Sequence, residues 1–95
     1  MDCDPIEFSG HAVRRMFERQ IEKGAVLAVI RHGEIIESYP DDEPYPSFLM
    51  LGAVHDRPLH VVLGVDPESN KARVITVYAP EPELWGADFR TREMP

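Results

Sequence analysis

The hydrophobic periodicity of this chain changes once, at Gly33, and that change limits the folds open to it. Before Gly33, apolar residues recur at helical spacing. After it they gather in short runs rich in β-branched and aromatic residues, broken by turn-formers. The runs are Glu34–Tyr39, Ser47–Val54, Pro58–Val65 and Ala72–Tyr78. Between them stand Pro40-Asp41-Asp42-Glu43-Pro44, His55-Asp56-Arg57 and Asp66-Pro67-Glu68-Ser69-Asn70. Separators this short join antiparallel neighbours, because a parallel pair needs a crossover of about a dozen residues or more. The pattern predicts an α+β fold, with two N-terminal helices packed on one face of a four-stranded antiparallel β-meander.

The first helix is expected from Ser9 or Gly10 to Gln20, with Ser9 as N-cap. Residues about 100° apart around its axis put Ala12, Val13, Met16 and Phe17 on one arc and His11, Arg14, Arg15, Glu18 and Arg19 on the other. The run Ala25-Val26-Leu27-Ala28-Val29-Ile30 is apolar on nearly every side, so the second helix should pack on several faces and end with Gly33 at C′. Val26, Val29, Ile30, Val61, Leu63 and Ile75 are the expected core.

A chain of 95 residues has room for a single domain, 1–95, whose residues 79–95 read as a tail anchored by Trp85 and assisted by Phe89. One cysteine, Cys3, allows no internal disulfide, and no apolar run approaches the about 18 residues of a membrane span. The opening MDCDPIEF lacks the basic and apolar regions of a signal peptide, so a cytoplasmic setting is expected. The net charge of −7 argues against an extensive nucleic-acid surface, yet it is unevenly spread. Residues 1–33 hold five acids and five bases, whereas the remaining 62 residues hold twelve acids and five bases. An anion-binding surface must therefore be local, and His11 to Arg19 is the best place for one.

On that stretch, His11 stands with Arg15 one turn on and Arg14 three residues on. An imidazole beside guanidinium groups suits metal-free phosphodiester cleavage, since one moves a proton near neutral pH and the others stabilise charge on phosphorus. The same residues also serve as an ordinary solvated helix face, with Glu18 paired to Arg14. His60 interrupts the apolar strand Leu59-His60-Val61-Val62-Leu63. If Val65 pairs with Lys71, His60 falls opposite Thr76 with Tyr78 diagonal to it, a cluster equally suited to catalysis and to satisfying a half-buried ring. No metal site is expected: C-x-x-C and H-E-x-x-H are absent, and His55 and His60 merely flank a turn. Cys3, between Asp2 and Asp4, is a poor candidate for an activated thiolate. The acids Asp41, Asp42 and Glu43 make a solvated turn that could also attract a basic partner.

Several phrases together resemble a known family. His11-Ala12, Arg15-Met16, Arg19, Ile21, Gly33-Glu34-Ile35-Ile36-Glu37 with Tyr39-Pro40, Pro58-Leu59-His60-Val61-Val62, and Ile75-Thr76-Val77-Tyr78 with Pro80, Pro82 and Trp85 look like the small prokaryotic domain of unknown function 4258. The chain departs from it at Gln20, where a glycine is common, and at Glu22, where a serine N-cap is. That family is similar to the RelE, BrnT and MqsR toxins of bacterial toxin-antitoxin pairs, so the resemblance implies a RelE-like fold and a metal-independent endoribonuclease needing no cofactor. It makes His11, His60 and Tyr78 the catalytic candidates and Arg15 and Arg19 the phosphate-binding ones. The implied partners are RNA and a cognate zinc-finger antitoxin-like protein. The alternative is a non-enzymatic interaction module that uses its acidic surface or a sheet edge.

Overall fold

The computed structural model describes residues 1–81 and residue 89. Among these the elements run β1 (Ile6–Phe8), α1 (Gly10–Arg19), α2 (Lys23–His32), β2 (Glu34–Tyr39), β3 (Ser47–Val54), β4 (Arg57–Val65) and β5 (Ala72–Tyr78). The strands lie in the order β1-β5-β4-β3-β2. β2 to β5 are antiparallel, as the short loops require, and His55 and Asp56 turn β3 into β4 with both residues left-handed. The fifth strand corrects the expected four-stranded meander: β1 adds parallel to β5, Ile6 against Ala72 and Phe8 against Val74. Three residues are too few to show a period, and their partner lies at the other end of the chain, so no loop length announces the pairing.

Both helices cover one face of this mixed sheet. Val26, Val29 and Ile30 of α2 are buried with Met50, Val61, Leu63, Val74 and Val77, while Ala12 and Ile21 extend the same core beneath α1. Gly52 permits the close approach of α2, since a Cβ there would stand 2.8 Å from Cγ2 of Val29. Gly33 also serves space rather than left-handed geometry: its φ is −77°, and a Cβ would meet the carbonyl oxygens of Val29 and Leu51 at 2.5 and 2.6 Å. The expected C′ glycine is therefore a C-cap in extended conformation, held by its N–H on the Val29 carbonyl.

Two further expectations are corrected. Ile75 is 37% exposed because it is the extra residue of a bulge, where Leu63 faces Val74 but Val62 faces Thr76. On α1 only Ala12 is fully buried; Met16 is half-buried, whereas Val13 and Phe17 are 54% and 86% exposed. The cause is Ser9, which caps the helix as expected but also ties it to β5. Its N–H donates to the Val74 carbonyl at 3.0 Å, and its hydroxyl donates to that of Ile75 at 2.9 Å and accepts from the Ala12 N–H at 3.0 Å. Those bonds fix the roll of α1 and turn Phe17 to solvent. Of the tail, Phe89 meets the sheet, while Trp85 lies outside the described residues.

The C-cap of α1 yields a stability prediction. Gln20 is left-handed, at φ 56°, with its N–H bonded back to the Met16 and Phe17 carbonyls. A side chain disfavours that conformation, so Gln20→Gly should raise stability by up to about 1 kcal/mol, a few degrees in melting temperature. A lower melting temperature would show that the backbone there is not left-handed.

Candidate functional site

β1 stops pairing with β5 at Val74, and beyond the bulge α1 takes its place beside that strand. His11, Arg15 and Arg19 lie one turn apart along α1, so a single stripe of the helix faces the far half of β5. Thr76 and Tyr78 from β5 and Glu81 just after it complete a cleft of about 300 Å³. Arg15 holds Glu18 at 3.4 Å with both side chains well exposed, in place of the Arg14–Glu18 pair expected from sequence. Exposed pairs of this kind contribute only about 0.2–1 kcal/mol, so an anion can compete for the guanidinium.

The comparisons with known proteins agree with the sequence. One family matches the chain over residues 8–79, from the last residue of β1 to just past β5. The chain belongs to the family described as Domain of unknown function (DUF4258). No curated protein and no solved structure matches it. Six of the cleft residues, Ala79 included, lie inside the DUF4258 match, and Glu81 lies two residues beyond it.

His60 does not line this cleft. It is wholly buried on the sheet face away from the helices, behind Tyr78. The expected pairing with Thr76 is corrected twice over, because Val65 pairs with Ala72 rather than Lys71 and the bulge adds one more residue, which brings His60 opposite Tyr78. The rings meet edge to face, with centroids 5.2 Å apart. The Phe89 carbonyl can only accept, so His60 Nε2–H donates to it at 2.9 Å, and Nδ1 accepts the Tyr78 hydroxyl at 3.2 Å. Burial lowers the His60 pKa below the usual imidazole value and outweighs the opposing bond to Phe89. The ring thus has both nitrogens bonded, and one of those bonds reaches Tyr78, which lines the cleft.

The sequence reading of DUF4258 residues missed Thr76 as a cleft member and missed Glu81 altogether. Glu81 carries no local signal, being one acid in a Pro-rich segment. Among the described residues, no group of three or more His, Cys, Asp and Glu side chains could hold a metal ion, and His55 sits in its turn apart from His60. Burial pushes the half-buried Cys3 thiol up, which favours the protonated form. A larger cleft, about 460 Å³, opens between the start of α2 and the β3–β4 turn. Its apolar floor includes Ile21 and Leu59, and its polar rim, Glu22, His55 and Arg57, is exposed and carries one arginine where the α1–β5 cleft has two.

The buried His60 ring makes stability depend on pH. Its folded pKa is depressed, so the unfolded chain takes up the proton first as pH falls below about 6.5. Stability should be full above that pH and decline toward pH 5, at most about 1.4 kcal/mol per pH unit for one proton. Melting curves of the wild type should show this decline, and those of His60→Gln should be flatter over the same range. Equal slopes for the two proteins would contradict the buried neutral imidazole.

Proposed function

We propose that this DUF4258 chain is a metal-independent endoribonuclease of the toxin type, acting at the cleft between α1 and β5. The observation that carries the reading is the meeting of His11, Arg15, Arg19 and Glu81 in one cleft. In this reading the RNA 2′-hydroxyl attacks the adjacent phosphorus, and Glu81 takes its proton. The bond to the 5′-oxygen breaks as His11 supplies a proton to the leaving group, giving a 2′,3′-cyclic phosphate and a 5′-hydroxyl. Arg15 and Arg19 stabilise the charge on phosphorus. Tyr78, held by His60, and Thr76 orient the nucleotide. His60 is thus a positioning residue, although the sequence alone offered it as a catalytic one. The likeness of the family to RelE-type toxins favours the same reading and brings with it a zinc-finger antitoxin-like partner as the natural inhibitor.

An interaction module is the second reading, and the β2 edge favours it. There the outermost strand exposes Ile35 and Tyr39 beside the acids Glu34 and Glu37.

RNA cleavage by the purified protein should persist in a metal chelator and leave cyclic phosphate ends. His11→Ala and Glu81→Gln should each slow it by about 10²- to 10⁴-fold while melting temperatures stay at the wild-type value. A single 2′-deoxy substitution at the cleaved position should abolish the cut. Wild-type rates in both variants would refute the assignment, and absence of cleavage together with absence of growth arrest on expression would favour the interaction module.

A further inference from the structure

The face of α1 turned away from the sheet has an anomaly that the cleft leaves unused. Phe17 is 86% exposed and Val13, one turn before it, is 54% exposed, on a helix whose neighbouring stripe is charged. Gly10, Val13, Arg14 and Phe17 stand at positions i, i+3, i+4 and i+7, the four corners of a hole on a helix surface. Gly10 leaves one corner open, since even a Cβ there would meet no neighbour. Along the adjoining stripe Arg14 and Glu18, both exposed, are one turn apart and of opposite charge.

We propose that this face pairs with the same face of a second copy of the chain, α1 against α1 in antiparallel fashion about a two-fold axis. A two-fold contact must be self-complementary: if one residue touches another, the reverse contact is made as well. The α1 face meets that condition. Phe17 of each copy fills the hole formed by Gly10, Val13, Arg14 and Phe17 of the other, which covers both exposed rings. The antiparallel direction sets Arg14 of each copy beside Glu18 of the other, giving two ion pairs of matching sign. The net charge of −7 does not prevent the approach, because the first 33 residues are balanced in charge. None of Gly10, Val13, Arg14, Phe17 and Glu18 lines the cleft beside β5, and Glu18, the partner of Arg15 at 3.4 Å, is the one residue that touches both surfaces.

A helix of ten residues is about 15 Å long, and a contact of that length is smaller than the roughly 1,200–2,000 Å² interfaces of tight complexes. The dimer should therefore dissociate on dilution. Sedimentation of the full chain from about 10 µM to about 1 mM should show the mass rising from 10.8 kDa toward twice that value. Phe17→Glu should stay monomeric throughout, with an unchanged circular dichroism spectrum because the side chain is exposed. Arg14→Glu should weaken association at least tenfold, and Arg14→Glu combined with Glu18→Arg should restore it. A monomer at every concentration would overturn the proposal and leave the face to a different protein. So would a Phe17→Glu variant that dimerises like the wild type.

Discussion

Ser9 is the joint on which the arrangement of this DUF4258 chain depends. Its N–H continues the β1–β5 ladder, its hydroxyl bonds the carbonyl at the bulge, and its oxygen caps α1. A helix beginning at such a point has no freedom to roll. The small Ala12 is brought against the sheet, and the larger Val13 and Phe17 are carried outward. Hydrophobic burial alone would have favoured the opposite roll, since a buried phenylalanine contributes about 1.5–3 kcal/mol. The observed roll instead brings Arg15 and Arg19 to the sheet and creates the cleft.

The rest of the sheet makes that cleft rigid. The bulge at Ile75 ends the regular ladder between β4 and β5 and realigns the strand so that Tyr78 lies opposite His60. His60 then locks the phenol from behind, while Phe89 holds the other ring nitrogen. On the opposite face, α2 sits close because Gly52 leaves it room. The α1 members of the cleft, His11 and the two arginines, thus stand beside strand residues whose geometry is set by packing and hydrogen bonds. In an otherwise acidic protein, this is also where positive charge is concentrated, so long-range repulsion of an anion is weakest there.

Much of this was legible in the sequence. The bounds of β2, β3 and β5 follow from their apolar runs and turn residues, Ser9 was readable as a cap, and the core of α2 stood out as a run apolar on all sides. The stripe His11, Arg15 and Arg19 was visible from helical spacing alone. What escaped depends on non-local geometry. β1 is three residues long with its partner at the far end of the chain, and a bulge has no local signature, so the His60–Tyr78 register came out displaced. The roll of α1 is set by bonds from Ser9 to β5, which a hydrophobic pattern does not record. Glu81 joins the site only because the chain leaves β5 beside α1.

The central claim is that α1 and the far half of β5 form one site for a nucleotide phosphate. The most direct measurement is an NMR titration of ¹⁵N-labelled protein with a 2′-deoxydinucleotide, which presents the phosphodiester but lacks the attacking hydroxyl. The account predicts saturable shifts in the amides of His11, Arg15, Thr76 and Tyr78 and in the arginine side chains, with β2 and the His55–Asp56 turn unmoved. Shifts centred on β2 or on that turn, or a spectrum unchanged by the ligand, would contradict it.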